Sequence, residues 1–523
     1  MIKSLKNKDS SGYDGLSTKL LKLIGPSILP SLTLIINQSL LTGIFPDNLK
    51  TAKVVPLFKK DDRLIMDNYR PVSLLPAISK VFEKVVHKQI SQYFNDNKLF
   101  YKSQYGFREE HSTELASIEL IDQVMNSFEN KHTPLAIYMD LSKAFDTLDH
   151  KILIHKLDFY GIKSTELNWF KSYLDNRKQY VEIDNTKSSY KIITTGVPQG
   201  SLLGPLLFLI YMNDIEEAST ALNSILFADD STFITSINAV FPNIKIDYKY
   251  EQNINIELEK IYNWLAVNKL SLNVRKTKFM IFHTPGTRLN YIPKVSINGI
   301  DLERVSEFNF LGLTIQENLS WKSHAEKIAN KISKYNGVLS RLKHYLPSNI
   351  LRMIYCSVIQ SNMNYSLLAW GYENKRVVKL QKKAIRNITA SKYNAHTEPL
   401  FKELCLLKIN DILKLNALKF FYKLKNNQVP LYFYGYNILT QEELHGRDTR
   451  FNQMYALSNT RTILQKKCLR NFLPELLNTI PKIILDKIDS HSYKGFANYC
   501  KQYYLNNYSK ECDKENCYIC ENS

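Results

Sequence analysis

Phe227-Ala228-Asp229-Asp230 places two adjacent carboxylates in a short turn between two apolar runs, residues 224–227 and 231–235. Neighbouring like charges resist burial unless a cation joins them. Most Asp-Asp pairs sit in solvated turns, but a hairpin with apolar strands on both sides has a stronger reason to carry a metal. Asp140 is a third acid of the same kind. It ends the run Ala136-Ile137-Tyr138-Met139, the pattern of a strand buried on both faces, before the chain turns into Lys143-Ala144-Phe145. Acids at the ends of two core strands suit two Mg²⁺ ions about 4 Å apart. Such a pair activates a 3′-hydroxyl and stabilises a leaving pyrophosphate, and Mg²⁺ prefers these hard oxygen ligands. Asp146 and Asp149, on the next turn, read as capping or structural residues.

The charge balance points the same way. Lys and Arg number 69 against 50 Asp and Glu, a formal net charge of +19. Such a surface repels itself unless a polyanion is near, which makes nucleic acid the first candidate partner and an anionic membrane the second. The longest charge-free apolar run, residues 205–212, is far shorter than the ~20 residues a spanning helix needs, so no membrane partner is expected. Residues 1–15 lack the apolar core of a signal peptide. Cys356, Cys405 and Cys468 stand singly among apolar residues and read as small buried hydrophobes in a reducing compartment. Cys512, Cys517 and Cys520 cluster towards the end, near Cys500. They read either as a zinc knuckle or as a frayed tail with free thiols; irregular spacing and the lack of a nearby histidine weigh towards the tail.

Periodicity predicts helices over 76–95, 115–128, 203–212 and 254–268, with a loop over 97–106. Strands are predicted at 135–140 and 278–283, and a hairpin joins 180–183 to 191–194. Mixed without strict alternation, these predict an α+β core. From Trp321 onward the pattern is helical. Ile328, Ile332, Tyr335, Leu339 and Leu342 form a seam of coiled-coil type, accompanied by Lys327, Lys331, Lys334, Arg341 and Lys343. A second basic helix carries Lys379, Lys382, Lys383 and Arg386. These lysines read equally as a solvated face or as a rail along a nucleic-acid backbone. After Pro430 periodicity weakens, and a less compact region is expected.

Taken together, the motifs resemble a known family. Residues 136–146, centred on Asp140, are similar to motif A of reverse transcriptases from non-long-terminal-repeat retrotransposons. Gly196-Val197-Pro198-Gln199-Gly200-Ser201 resembles motif B, and Phe227-Ala228-Asp229-Asp230 motif C. Asn68-Tyr69-Arg70-Pro71-Val72-Ser73-Leu74 resembles the fingers signature, and Leu270-Ser271-Leu272-Asn273 with Lys276-Thr277-Lys278 resembles motif D. Phe310-Leu311-Gly312 resembles the primer-grip turn. Ala384-Ile385-Arg386 followed by His396-Thr397 is similar to a downstream segment of jockey-like elements. The resemblance spans residues 11–430.

It implies an RNA-directed DNA polymerase with a right-hand fold of fingers, palm and thumb, followed by a helical C-terminal region. The expected divisions are an N-terminal helical extension (1–50), fingers and palm (51–316), thumb and basic helices (317–430) and a C-terminal region of uncertain order (431–523). Asp140, Asp229 and Asp230 would bind two Mg²⁺ ions, with Mn²⁺ an alternative. Phe145 would lie under the sugar of the incoming deoxynucleoside triphosphate. Gln199 and Gly200 would shape its pocket, and Arg70 and Lys59 would hold its phosphates. Lys276, with Lys278 as rival, would protonate the leaving pyrophosphate. Lys331, Lys334 and Lys382 would contact nucleic acid. The implied partners are an RNA template and a DNA primer or target, met inside the cell in the nucleus, the cytoplasm or both, at chromosomal DNA. The family's upstream endonuclease is expected to be missing, and no ribonuclease H acid set is evident, as in a fragment or truncated copy. Two competing readings remain. An RNA-dependent RNA polymerase shares the palm acids, but Phe145 would crowd a ribose. A decayed copy that only binds nucleic acid would usually have lost a catalytic acid.

Overall fold

The computed structural model describes residues 1–237, 248–287, 289, 292–445, 453–460 and 462–509. Its centre is a five-stranded sheet in the order Glu303–Arg304, Lys278–Ile281, Thr133–Asp140, Asp230–Ile237, Asn223–Phe227. All pairings are antiparallel except the first. Thr133–Asp140 is buried at every position but the last. Its unbroken apolar run follows from having both faces covered. Ala136 and Tyr138 face a core that includes helix Thr113–Glu129, whereas Leu135, Ile137 and Met139 face one that includes helix Leu203–Met212. Each such side chain contributes about 1.5–3 kcal/mol by leaving water, which is what holds this strand and the carboxylate at its end in place.

A second sheet is built on Thr51–Phe58, antiparallel to Tyr69–Leu74 and parallel to Lys178–Ile183. The expected hairpin is more elaborate than the sequence suggested. Lys178–Ile183 folds back tightly onto Thr186–Lys187 and pairs also with Lys191–Ile192. Asp184 and Asn185, both at positive φ, make a two-residue turn of the type that suits the twist of a hairpin.

The run-length premise of the membrane expectation needs correcting. Helix Thr18–Thr42 is long and apolar enough, by length and composition, to cross a membrane, and 22% of its apolar window is buried. Counting uninterrupted apolar runs missed it because Ser, Thr, Asn and Gln interrupt the run without adding charge. Leu21, Leu32 and Ile36 pack into the fold, while Leu23, Leu34 and Leu41 are exposed.

Beyond the sheet, helices Lys322–Leu342 and Lys375–Ile388 pack on each other. In the predicted seam Ile328, Ile332 and Leu339 are buried and Tyr335 and Leu342 are half-buried. Asn336 crosses between the helices, its Nδ2 donating to the Leu380 carbonyl at 2.9 Å. The segment after Pro430 is not the loose region expected. Its described part carries short helices and helix Tyr493–Asn506, and Phe433, Tyr436, Leu473 and Phe496 join the core that also holds Ile328 and Val377 of the two packed helices. Tertiary packing compensates for weak local periodicity. Two cysteine expectations also change: Cys405 is exposed and Cys356 half-buried, while Cys468 and Cys500 are buried. Cys512, Cys517 and Cys520 lie outside the described residues.

One buried clasp ties this region to the palm. Tyr436 donates its hydroxyl to Asp122 on helix Thr113–Glu129. One turn earlier on that helix, Tyr105 donates to Glu119. Burial pushes both carboxyls up to about 7. A carboxyl raised in the fold favours folding most at pH values below its unfolded pKa, near 4. That stability is lost as pH rises to about 7. Asp122→Asn should therefore flatten the fall in stability between pH 5 and 7, read as the urea midpoint at each pH. A profile as steep as the parent's would show that Asp122 is not held protonated.

Candidate active site

The sheet brings all three sequence-identified acids together. Asp140 and Asp230 are directly paired across neighbouring strands, and Asp229 occupies the two-residue turn before Asp230. Ala228, the other turn residue, has φ of 56°, a left-handed conformation that costs a non-glycine residue roughly 1 kcal/mol or more. The cost is met by a segment that the sequence showed only as a loop. Tyr105 N–H donates to the Leu226 carbonyl at 2.7 Å, and Leu226 N–H to the Ser103 carbonyl at 2.9 Å. The Gln104 side-chain oxygen accepts from Gly106 at 2.8 Å and from Ala228 at 3.2 Å. Gly106 lies so close that a Cβ there would meet the Ala228 nitrogen at 2.3 Å. Gln104 and Gly106 thus support the turn; only their position in the fold reveals it.

The acids crowd one another. Asp230 is raised to about 6, first by burial of its surroundings and then by Asp229 and Asp140. Asp229 is raised by burial and by Asp140, against which Arg70 and Lys59 act to lower it. Those two cations from the fingers therefore stand within electrostatic reach of the acids. Lys276 Nζ lies 3.6 Å from Asp140 Oδ2. Its rival Lys278 is ion-paired to Glu303 on the adjacent strand. The segment with Lys276 is tied to the site by its backbone, since Asn273 N–H donates to the Asp140 carbonyl at 2.8 Å. Among the described residues no group of three His, Cys, Asp or Glu forms a ready-made metal cage. What the strands provide is a set of mutually repelling oxygen ligands, and that set fits a hard divalent cation.

Three further segments, around Phe145, the motif B loop and Ser73, carry the other candidate residues. Phe145 is half-buried, its ring 4.6 Å from that of Phe208 and 6.2 Å from the exposed Phe107. Gly200 has φ of 150°, and a Cβ there would meet the Ser73 carbonyl oxygen at 2.2 Å. The motif B loop thereby lies against the fingers, and Ser73 N–H donates to the Gln199 carbonyl at 2.9 Å. The Gln199 side chain is engaged: its Nε2 donates to both carboxylate oxygens of Asp146, at 2.9 and 3.0 Å. Asp149 caps helix His150–Phe159 as expected, whereas Asp146 orients Gln199. Glu83, fully buried and unremarkable in sequence, accepts from Leu202 N–H at 2.5 Å and from the Tyr173 hydroxyl at 3.1 Å. It anchors the start of the helix behind motif B. Lys331, Lys334 and Lys382 are exposed on the two packed basic helices.

Gly106→Ala tests the support of the turn. Overpacking typically costs about 1–3 kcal/mol, here applied to the backbone that carries Asp229. Mn²⁺ affinity should fall at least about tenfold with the circular dichroism spectrum intact. Parent-level affinity would show that the loop is a bystander.

Comparison with known proteins agrees with this geometry. Residues 58–315 match the family model described as reverse transcriptase (RNA-dependent DNA polymerase). The RNA-directed DNA polymerase from mobile element jockey of Drosophila melanogaster is 27% identical over 444 residues, covering 81% of this chain and 47% of that protein. The probable RNA-directed DNA polymerases from transposon BS and from transposon X-element of the same species are 27% and 25% identical, covering 78% and 81% of this chain. The chain spans about half the length of these relatives (47% and 46%). Apo telomerase from Candida Tropicalis aligns over 72% of this chain and 66% of that one at 14% identity and a TM-score of 0.39, below the level at which a shared fold is inferred. The three paired acids lie inside the segment 58–315 that matches the reverse transcriptase domain, and most of the chain is similar to the polymerases of the jockey and BS elements.

Proposed function

We propose that the chain is an RNA-directed DNA polymerase that extends a primer 3′-hydroxyl on an RNA template. The observation that carries this is the direct pairing of Asp140 with Asp230, with Asp229 in the adjoining turn. These carboxylates would hold two Mg²⁺ ions, or Mn²⁺. Bound there, the cations would lower the pKa of the primer hydroxyl and stabilise the leaving pyrophosphate. Arg70 and Lys59, whose charges already reach Asp229, suit the triphosphate of an incoming deoxynucleotide. Lys276 is the better placed of the two candidate acids to protonate pyrophosphate, because Lys278 is committed to Glu303. Gly200 lets the motif B backbone close against the fingers, and Asp146 fixes Gln199 at the pocket wall. On this reading the enzyme works inside the cell, in the nucleus, the cytoplasm or both, and its product forms at chromosomal DNA.

Asp140→Asn and Asp229→Asn should each abolish extension of oligo(dT) on poly(rA) while the protein stays folded, since a lost ligand forfeits several kcal/mol of transition-state stabilisation. Activity retained in either variant would mean that the acids are misassigned.

The basic helices should follow template–primer phosphates. Duplex affinity should then fall with salt at a log–log slope of about −0.9 per phosphate neutralised. Reversing the charges of Lys331, Lys334 and Lys382 together should flatten the slope. An unaltered slope returns these lysines to a plain solvated face.

Sugar choice is assigned to Phe145. A ring packed on Phe208 has little room to yield to a ribose 2′-hydroxyl, and overlap of this kind costs about 1–3 kcal/mol. Phe145→Val should raise the ratio of ribonucleotide to deoxyribonucleotide kcat/KM. If both substrates suffer alike, the residue only packs the palm, and the case against an RNA polymerase weakens.

A further inference from the structure

Away from the acids, a pocket of about 420 Å³ opens on the thumb. It lies between helix Lys375–Ile388, the loop after it, and the starts of helices Thr397–Glu403 and Ile409–Lys425. Its size falls in the range of about 300–1,000 Å³ that small ligands occupy. Lys382, Arg386 and Lys408 give its lining a cationic character. The one carboxylate there, Glu398, is already paired to Lys408 at 2.8 Å.

Arg386 is held in a defined pose. Its Nε donates to the Ala395 carbonyl at 2.8 Å, and its two terminal nitrogens have no protein partner among the described residues. Lys382 stands one helical turn before it, exposed and without an ion pair among the described residues. The loop at the rim is a closed turn, in which Ala395 N–H donates to the Lys392 carbonyl at 3.1 Å. That turn also carries Tyr393, which lies outside the pocket lining and next in the chain to the lining residue Asn394; it is 90% exposed, the most exposed tyrosine among the described residues.

A fixed guanidinium fork with an unpaired lysine beside it matches the geometry and charge of a phosphate. An exposed aromatic ring a few residues away matches the flat face of a base. A duplex hides its base faces by stacking, so this combination favours an unpaired nucleotide. We propose that the pocket takes the phosphate of one nucleotide of a single strand on Arg386 and Lys382, with the base outside the pocket on Tyr393. This rests on reading the chain as a polymerase that handles template and primer, and it adds a contact for strand that is not yet paired.

The test uses the whole chain and fluorescein-labelled 12-nucleotide single-stranded RNA, single-stranded DNA and a 12-base-pair duplex, read by anisotropy. Tyr393→Ala and Arg386→Gln should each weaken single-strand binding about tenfold, with duplex binding changed less than about twofold. Tyr393→Phe should bind as the parent does. A loss confined to RNA assigns the site to template, a loss confined to DNA assigns it to the other strand, and a loss on both leaves it general; each supports the site. Unchanged single-strand affinity in Tyr393→Ala, or an equal loss on duplex and single strand, overturns it. Because Tyr393 is exposed, that variant remains informative even if Arg386→Gln fails to fold. Parent primer extension is measured alongside. Its absence would sink the polymerase reading without altering the binding result.

Discussion

Three carboxylates that repel one another are held together by strands that cannot move apart, and the site depends on that conflict. Across a directly opposed strand pair, side chains start about 5 Å apart. At an effective dielectric constant of 20, two like charges at that distance cost about 3 kcal/mol. Burial raises Asp229 and Asp230 most, and this repulsion adds to the upward shift of both. Apolar burial opposes it, through Leu135 to Met139 on one strand and Phe233 and Ile234 on the next. The hydrophobic sheet thus fixes acids in an arrangement that favours a cation.

The same sheet organises what surrounds the acids. The loop with Gln104 and Gly106 braces a turn that Ala228 would not adopt by preference. The motif B loop is held from two sides, by Ser73 of the fingers and by Glu83 beneath its helix. Asp146 then fixes the side chain of Gln199. None of these contacts involves a reacting group. They are buried or half-buried hydrogen bonds whose partners lie far apart in the chain, and loosening any of them would shift a carboxylate or a pocket wall.

Legibility in the sequence tracks the range of the interaction. Leu203–Met212 was readable to the residue because a local run of apolar side chains specifies a buried helix. The strand ending at Asp140 was readable for a similar reason, and the acids stood out because charges interrupt apolar runs. Gln104, Gly106 and Glu83 carry no such signal: each looks ordinary until a distant partner arrives. Asp146 was visible, but its role was not, because its contact to Gln199 spans 53 positions. The contact from Asp122 to Tyr436 spans 314, which is why weak periodicity after Pro430 misread a packed region as loose. Helix Thr18–Thr42 was missed for the opposite reason, an overly strict demand for uninterrupted apolar residues.

The most direct measurement is a pair of readings on the parent and on Asp229→Asn: calorimetric titration with Mn²⁺, and thermal melting in cation-free buffer. If the acids form a repelling set that a cation reconciles, neutralising one should weaken Mn²⁺ binding more than about tenfold, at least 1.4 kcal/mol, while raising the melting temperature of the cation-free protein. Parent-level Mn²⁺ affinity together with a lowered melting temperature would contradict the account, because it would make Asp229 a structural residue in a turn that binds no metal.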